Sequence, residues 1–381
     1  MYLPEGLFDQ QVDLVFYDIT STNFEGDRSI AEEDIRRYGY SRDHRFDRRQ
    51  VTIGMVMTRD GIPLCHHVFP GNTVDKTTVA HVIKDLKSRF HLSRVIFVGD
   101  RGMLSEENLV TILNEELGFI MAHPLRRNNM AAEVIEELGR TLDRTKNEEQ
   151  FRDDVRTSLC FVLAYSPEIA REVKKERTCR LRRADLFIKE CLHRLTHPAS
   201  RGRKPIPQGT YDRIRDFLRD HNLLSFYEVD LRNDEVIVAA DKKARAWEDK
   251  INGMLLLETT DLKSNSEDVV RRYKELAEIE RGWRALKRSL MLRPGDHWTE
   301  DRIKAHIFLC VLALQIERLM RNRLQSVSVR KTIDRLRRIK AGEIQFNGVK
   351  TRTLTRTTEE QQNLFKFLEV PAPRMSRAEN L

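Results

Sequence analysis

Residues 12–22 read VDLVFYDITST, and they predict the first strand of the chain. Apart from Asp13, the run from Val12 to Tyr17 is apolar and rich in β-branched and aromatic side chains, so it predicts a β-strand that ends at Asp18. A carboxylate at a strand end is held by rigid backbone and can still face solvent. Such a carboxylate suits a divalent metal ion, because Mg²⁺ in proteins is bound by a few carboxylates together with water and substrate phosphate.

A second apolar run has the same character. Val95 to Gly99 predicts a short strand that ends at Asp100. Arg101 and Gly102 follow, and the glycines on both sides of the aspartate would let a phosphodiester approach the backbone closely. A single aspartate at a strand end is more often a turn or capping residue, so the metal hypothesis depends on the two positions together.

The surrounding pattern predicts an α/β fold. Two further strand-like runs, Val51 to Thr58 and Ile62 to Phe69, are joined by Arg59-Asp60-Gly61, and Asp-Gly between apolar runs is a strong hairpin signal. Later runs predict a helix at Lys76 to Phe90, a helix at Ser105 to Leu117 with Ser105 as its N-cap, and a strand at Phe119 to Ala122. A meander of strands followed by alternating helices and strands implies a mixed sheet with helices on its faces.

The pattern breaks near residue 128. From about 128 to 262 the chain is richer in charge and switches between helical and strand signals, which predicts a partly β insertion domain in a separate layer. The chain is therefore predicted to have four segments: residues 1–127 as the first part of the core, 128–262 as the insertion, 263–325 as two helices that complete the core, the second beginning at about Thr299, and 326–381 as a helical, basic C-terminal segment. Strands in the insertion are predicted at Leu159 to Ala164, Leu224 to Leu231 and Val236 to Ala240.

A helix from Glu267 to Leu290 is predicted to carry a third acidic residue of interest. Steps of seven residues return to almost the same helical face, so Tyr273, Glu280 and Lys287 line up along one stripe. Arg284 follows Glu280 by one turn. Apolar side chains that could dock the helix lie on neighbouring faces: Leu276, Ile279, Trp283 and Leu286. An acid flanked by basic and aromatic side chains suits a metal ligand beside groups that contact phosphate. The alternative is a solvated face on which Glu280 and Arg284 form an ion pair.

Composition suggests a polyanionic partner without proving one. The chain has 381 residues, of which 40% are hydrophobic and 33% charged, and its net charge is +8. The stretch from Arg318 to Arg356 concentrates this charge, with twelve Lys or Arg against two acidic residues. The longest apolar run, Ile307 to Leu314, is too short to span a bilayer, and no signal peptide is visible. We therefore expect a soluble, cytoplasmic protein with no membrane partner.

The five cysteines are not predicted to form a disulfide framework. None belongs to a Cys-x-x-Cys pair, and an odd, scattered set fits buried thiols in a reducing compartment. Cys191, His193 and His197 are close in sequence. Three candidate ligands without a regularly spaced fourth make a weak zinc signal.

Together these residues resemble the DDE transposases of bacterial insertion sequences, in the branch marked by a Tyr-x2-Arg-x3-Glu-x6-Lys signature. Tyr273, Glu280 and Lys287 match its spacing. Leu276 stands where the signature has arginine. The resemblance extends from about Asp13 to Arg323 and includes Gly61-Ile62-Pro63-Leu64, Pro70-Gly71-Asn72-Thr73, and Arg293-Pro294 through His297-Trp298-Thr299-Glu300.

The resemblance implies an RNase H-like catalytic core in which Asp18, Asp100 and Glu280 form an acidic triad. That triad would hold two divalent metal ions, Mg²⁺ or Mn²⁺, about 4 Å apart. The implied reaction is metal-dependent cleavage and strand transfer by a cut-and-paste route, with nicking, hairpin formation at the element end, hairpin opening and joining to target DNA. An insertion domain between the second aspartate and the glutamate is also implied.

The resemblance further assigns residues that contact DNA: Tyr273, Arg284, Lys287 and Arg101. Arg272 and Arg284 are the candidates to replace the signature arginine. In the family an aromatic of the insertion domain stacks on a flipped base, and Trp247 is the nearest candidate by position, with a buried core tryptophan as the alternative. The implied partner is double-stranded DNA, at element ends and target, and the family allows a homodimer in the DNA complex.

Only seventeen residues precede Asp18, whereas such transposases usually carry a substantial N-terminal region that binds the element ends. We therefore expect either a truncated copy or a start placed late. Two other functions stay open: a structure-selective endonuclease with the same fold and triad, and a truncated, non-catalytic chain that binds DNA and inhibits transposition. Mg²⁺-dependent nicking separates the enzymes from the inhibitor. Joining of a pre-cleaved 3′ end separates the transposase from the nuclease.

Overall fold

The computed structural model describes residues 14–25, 34–42, 45–90, 96–99, 105–126, 128–198, 204–288, 290, 292, 297–324, 327–346 and 349–374. Asp100, Arg101 and the Arg293-Pro294 pair lie outside the described residues, as does the start of the first predicted strand. The chain forms two compact units. The first unit comprises residues 1–119 and 273–381, and the second comprises residues 120–272.

The described strands, in chain order, are β1 (Leu14–Asn23), β2 (Gln50–Met57), β3 (Pro63–Pro70), β4 (Ile96–Gly99), β5 (Gly118–Ala122), β6 (Gln150–Arg156), β7 (Leu159–Tyr165), β8 (Tyr227–Arg232), β9 (Glu235–Ala240), β10 (Met254–Thr259), β11 (Ala341–Phe346) and β12 (Val349–Leu354). The described helices are α1 (Val79–Phe90), α2 (Glu106–Asn114), α3 (Asn129–Gly139), α4 (Pro167–Thr196), α5 (Pro207–Asp220), α6 (Lys242–Ile251), α7 (Ser266–Lys274), α8 (Ala277–Arg288), α9 (Glu300–Leu324), α10 (Val329–Leu336) and α11 (Glu359–Phe367).

Among the described strands, eight form one sheet in the order β3-β2-β1-β4-β5-β10-β7-β6. The first three strands are an antiparallel meander, and β4 lies parallel to β1 on its other side. This arrangement confirms the predicted α/β class, a mixed sheet flanked by helices and consistent with an RNase H-like fold. The predicted hairpin between β2 and β3 is also confirmed, because Gly61 N–H donates to the Thr58 carbonyl (2.9 Å) and Gly61 has φ of +72°, which a glycine adopts without strain.

The first strand is longer than the sequence predicted. It runs past Asp18 to Asn23 and stays paired with β2 along its whole second half. The polar segment 20–22 is buried, although its composition does not indicate a core strand. Threonine is β-branched and fits a pleated surface well, which explains how the strand continues. Asp18 therefore lies in the middle of β1 and not at its end.

Two faces of the sheet in the first unit are distinguished by the alternation of side chains along each strand. Tyr17 is fully buried, and its hydroxyl donates to Thr78 Oγ1 (2.8 Å), directly before α1. Burial raises the pKa of Tyr17 far above its usual value, so the hydroxyl remains a proton donor. We call the side of the sheet to which Tyr17 projects the α1 face. The other side, called the α8 face, carries Asp18; on it the His66 ring of β3 contacts the Phe308 ring of α9, with centroids 6.2 Å apart.

The second unit differs from the predicted separate layer. Strands β6, β7 and β10 belong to the eight-stranded sheet, and β10 pairs antiparallel with both β5 and β7. Strand pairing between distant segments left no local signal at residue 128, which is why the sequence pattern suggested a layer of its own. The division of the chain into functional domains at 128, 263 and 326 stays a prediction.

Two apolar clusters stabilise the second unit. Helix α3 packs its buried face on β6 and β7, around Val134, Ile135 and Leu163. The long helix α4 and helix α5 enclose the second cluster with the two-stranded β8–β9 sheet, around Ala184 and Ile214. The predicted strand at 159–164 is confirmed as β7 and that at 236–240 as β9, while the run at 224–231 begins as a 3-10 turn and becomes β8 at Tyr227.

The C-terminal segment is helical and basic, as expected, and also contains a hairpin that the sequence did not predict. Helix α9 confirms the helix expected after Thr299, and β11 pairs antiparallel with β12. Leu324 packs with Leu364 and Leu368 of the last helix and turn. No helix in the described ranges is both long and apolar enough to cross a membrane.

Candidate active site

Asp18 is the sequence-predicted carboxylate that the structure places most clearly. It is half-buried in β1, opposite Met55 of β2. Its Oδ1 accepts a hydrogen bond from the Ile19 main-chain N–H (2.7 Å), which fixes the side chain against its own strand. The fully buried Tyr17 before it and the buried Ile19 after it hold the backbone at this position.

The neighbouring parallel strand approaches Asp18 from the other side. Tyr17 of β1 is paired with Gly99 of β4 in parallel register. In the sequence, Asp18 follows Tyr17 and Asp100 follows Gly99. Asp100 lies outside the described residues, as does Arg101, so the assignment of both stays a prediction.

The helix predicted from Glu267 to Leu290 is two helices, and that prediction is wrong. Helix α7 ends at Lys274 and α8 begins at Ala277. At the break, Leu276 N–H donates to the Tyr273 carbonyl and Ile279 N–H donates to the Leu276 carbonyl (both 3.0 Å), a tighter i→i+3 pattern than that of an α-helix. Tyr273 therefore lies on the earlier helix and does not share a continuous stripe with Glu280.

A tertiary contact at this break explains why local periodicity did not reveal it. Arg59, in the β2–β3 turn, donates through Nη2 (2.7 Å) and Nε (3.1 Å) to Glu275 Oε1. The guanidinium thus binds the carboxylate at the non-helical position between α7 and α8. Such an ion pair between residues far apart in sequence cannot be read from helical spacing.

Helix α8 docks through the apolar side chains that the sequence indicated. Ile279, Trp283 and Leu286 are buried, and Leu276 is half-buried. Gly282 completes this face, because a Cβ atom at that position would come within 2.7 Å of Met57 Cε in β2. The absence of a side chain at 282 therefore lets the helix approach the sheet closely.

Helix α8 and Asp18 lie on the same face of the sheet. Met57 is paired with Phe16, and paired residues of antiparallel strands project to the same side. Asp18 follows Phe16 by two positions and so shares that side. A second contact agrees, because the Thr22 hydroxyl, on the same side of β1, donates to the main-chain carbonyl of residue 292 after α8 (3.2 Å).

Glu280 lies beside the docked face of α8 with its side chain exposed. At about 100° per residue it is roughly a quarter turn from Ile279, and Lys287 lies close to the same direction. In the described part of the chain the Glu280 carboxylate forms no ion pair. Arg284 Nε donates to the Glu280 main-chain carbonyl (3.4 Å) and not to its carboxylate. The surface ion pair that was the alternative hypothesis is not formed.

The neighbouring glutamate on α8 is in a different environment. Glu278 Oε2 accepts from Arg318 Nη1 of α9 (3.4 Å), and its Oε1 also pairs with Arg281. Arg318 is only 2% exposed, and burial lowers the pKa of its guanidinium. By sequence, Arg318 begins the basic stretch that ends at Arg356. Its burial against Glu278 makes it a residue that positions α8 on α9, and no sequence signal separates it from its exposed neighbours.

The predicted phosphate-contacting residues differ in their availability. Arg284 is exposed, whereas Lys287 and Tyr273 are half-buried. Arg272 donates through Nη1 to Asp261 Oδ2 (2.8 Å), so this candidate replacement for the signature arginine is engaged in an ion pair. Arg284 is the more accessible of the two replacements.

Trp247 is integrated into the second unit. Its indole N–H donates to the Leu125 carbonyl (3.1 Å), and its half-buried ring packs against the cluster around Val134. Lys250 Nζ lies over the ring, 5.6 Å from its centroid. These contacts agree with the packing alternative, and base stacking by Trp247 stays a prediction.

The described residues thus form an α/β protein in which a helix with an exposed Glu280 docks on the sheet face that carries Asp18. Comparison with protein families matches residues 13–316 to the family described as Transposase DDE domain. The chain belongs to this family of DDE transposases, whose members generally use divalent metal ions.

The chain was also compared with curated proteins and with solved structures. No curated protein matches the chain. Among solved structures, it is similar to a piggyBac transposase in a synaptic complex with hairpin DNA, at 10% sequence identity and a TM-score of 0.42. The match covers 80% of this chain and 46% of that one, so the chain spans a little under half the length of that transposase.

Proposed function

We propose that this chain cleaves DNA and transfers DNA strands as the catalytic core of an insertion-sequence transposase, with Asp18, Asp100 and Glu280 as its acidic triad. The observation that carries the proposal is that helix α8 packs on the sheet face that bears Asp18, while the Glu280 carboxylate is exposed and engaged in no ion pair within the described residues. Glu278, two residues earlier, is occupied by Arg318 and Arg281.

Asp100 is included in the proposed triad because of its position in the chain next to β4. It follows Gly99, the pairing partner of Tyr17, and Asp18 follows Tyr17. Consecutive Cα atoms are 3.8 Å apart and neighbouring strands about 4.8 Å apart, so the two aspartates need no long excursion of the chain to share one site.

The donor set fits divalent metal ions. Carboxylate oxygens are hard ligands of the kind that Mg²⁺ and Mn²⁺ prefer. Bound there, two such ions would supply the activation of the attacking oxygen and the stabilisation of the leaving oxygen in an in-line displacement at phosphorus. The hydrogen bond that Asp18 Oδ1 accepts from the Ile19 main-chain N–H would orient the carboxylate for such a role.

The basic and aromatic side chains of α7 and α8 would hold the DNA beside these carboxylates. Arg284 projects into solvent one turn after Glu280 and would contact a backbone phosphate, together with Lys287 and Tyr273. The basic C-terminal segment would add affinity that falls with salt concentration. By the Tyr-x2-Arg-x3-Glu-x6-Lys resemblance, the substrate is double-stranded DNA at element ends and target, and the route passes through a hairpin intermediate.

Nicking and joining assays test the proposal. The purified chain is expected to nick DNA only with Mg²⁺ or Mn²⁺ and to join a pre-cleaved 3′ end to plasmid, and Asp18→Asn is expected to abolish both reactions while the protein remains folded. Nicking without joining would favour the structure-selective endonuclease. DNA binding without any metal-dependent nicking would favour the non-catalytic inhibitor of transposition.

A further inference from the structure

A second group of metal-ligating side chains lies on the α1 face of the sheet. Cys65 and His67 are two residues apart on β3 and therefore project to the same side. Asp85, on α1, meets them there. The three residue types, a thiol, an imidazole and a carboxylate, are all established zinc ligands.

The distances between the three ligand atoms are short. His67 Nε2 is 3.3 Å from Asp85 Oδ2, and Cys65 Sγ is 3.9 Å from His67 Nε2. All three ligand atoms lie within 4.8 Å of one another. The cluster is therefore compact enough to surround a single ion without movement of the backbone.

These separations resemble the edges of a zinc tetrahedron. Zinc binds nitrogen and oxygen at about 2.0–2.2 Å and sulfur at about 2.3 Å, which for tetrahedral angles separates nitrogen from oxygen by about 3.4 Å and sulfur from nitrogen by about 3.6 Å. The observed separations of 3.3 Å and 3.9 Å differ from these values by a few tenths of an ångström. We propose that Cys65, His67 and Asp85 bind a zinc ion, with water in the fourth position.

The surroundings suit an ion that is held rather than exchanged freely. Cys65 is 6% exposed, and the His67 and Asp85 side chains are 10% and 15% exposed. The His81 ring of α1 meets the His67 ring edge-to-face, with centroids 5.0 Å apart, and restricts the orientation of the imidazole.

The proposed zinc site is separate from the proposed DNA-cleaving site. Cys65 is paired with Val56, which is paired with Tyr17, so the thiol lies on the α1 face, whereas Asp18 lies on the α8 face. The ligand chemistry also differs, because a thiolate selects zinc over magnesium. Zinc binding at this site does not depend on transposase activity.

A zinc ion here would join β3 to α1. β3 is the last strand at its end of the sheet in the described residues, and the segment 71–78 connects it to the helix. An ion bound only by the folded chain stabilises that fold by mass action. The simpler alternative is that His67 and Asp85 form an ion pair beside an ordinary buried thiol, which requires no metal.

Metal-binding measurements on the full chain distinguish a zinc site from a metal-free ion pair beside a buried thiol. After chelation and removal of the chelator, the protein is titrated with Zn²⁺, and its metal content and thermal midpoint are measured. We expect one zinc per chain and a rise in the midpoint. Titration with Co²⁺ should produce sulfur-to-cobalt charge-transfer absorption, which requires a thiolate ligand and therefore reports on the cysteine and not on the carboxylate site.

Matched variants locate the ion. Cys65→Ser and His67→Ala are expected to weaken zinc binding on the order of 100-fold or more, and Asp18→Asn is expected to leave it unchanged. His66→Ala is the control for a neighbouring imidazole, because His66 lies on the opposite face beside Phe308. Absence of the charge-transfer band in the parent protein would overturn the proposal without recourse to any variant. Zinc binding of parental affinity in both Cys65→Ser and His67→Ala would overturn it as well.

Discussion

Gly282 of α8 lies directly against Met57 of β2, so closely that a Cβ atom on the glycine would approach the methionine Cε to 2.7 Å. This contact sets the distance between the helix that carries Glu280 and the sheet that carries Asp18. The geometry of the proposed site therefore depends on a residue that has no functional group of its own.

Substitutions of Gly282 by a small and by a large side chain should have different effects on stability and cleavage. Gly282→Ala is expected to change the free energy of unfolding by less than about 1 kcal/mol, because Met57 Cε is the end of a flexible side chain and alanine favours the helix. Gly282→Leu should overpack the contact, cost about 1–3 kcal/mol and reduce DNA cleavage in the protein that remains folded. Urea denaturation and a nicking assay measure the two effects. Unimpaired cleavage by Gly282→Leu would show that helix position is not limiting.

Gly71, in the segment that follows β3, should tolerate no side chain. A Cβ atom there would lie 2.0 Å from the Gln50 carbonyl oxygen and 2.6 Å from that of Arg37, both rigid main-chain atoms. We expect Gly71→Ala to destabilise the protein by about 3 kcal/mol or more, since backbone must move. Gly209→Ala is the control, because its Cβ would meet only Ile206 at an ordinary 3.5 Å. Equal thermal midpoints for the two variants would contradict the packing described.

Lys287 is expected to contribute one phosphate contact. Lys287→Ala should weaken DNA binding and lower the slope of log affinity against log salt by about one unit. Lys304→Ala is the matched control, because it removes the same charge from α9, outside the proposed DNA interface. A titration of DNA at several salt concentrations measures both slopes. The same slope for Lys287→Ala and the parent protein would remove this lysine from the DNA interface.

Trp247 offers a test between packing and base stacking. Trp247→Ala should cost about 2–3 kcal/mol of stability, less than a fully buried tryptophan, because the ring is half-buried and its N–H bond to Leu125 is lost. Chemical denaturation measures this cost. DNA affinity per folded molecule is the second measurement: a loss there would support stacking on a base, and no loss would leave packing as the only role of the ring.

Local patterns predicted the elements that depend on local physics. The Asp60-Gly61 turn identified the β2–β3 hairpin, and Ser105 was correctly expected as an N-cap, its hydroxyl accepting from Asn108 N–H (3.3 Å). The apolar side chains around Trp283 identified the docking face of α8. In each case the signal and the structure lie within a few residues of each other.

Features that depend on distant contacts were missed. The break at Glu275 coincides with its ion pair to Arg59, 216 residues earlier in the chain. The membership of β6, β7 and β10 in the main sheet is a matter of strand pairing, which periodicity does not encode. The contrast between Glu278 and Glu280 was equally invisible, because it is the buried Arg318 of α9 that engages one and leaves the other at the surface.

The proposed membership of Glu280 in the metal-binding site is tested by DNA cleavage with a matched pair of variants. Glu280→Gln and Glu278→Gln make the same chemical change two residues apart on α8. We expect Glu280→Gln to fold and bind DNA like the parent but to lose Mg²⁺-dependent nicking. Glu278→Gln should lose about 1–2 kcal/mol of stability, as its buried partner Arg318 loses a charged acceptor, and should still cut. A Glu280→Gln protein that nicks DNA at the parental rate would contradict the claim, and with it the proposed mechanism.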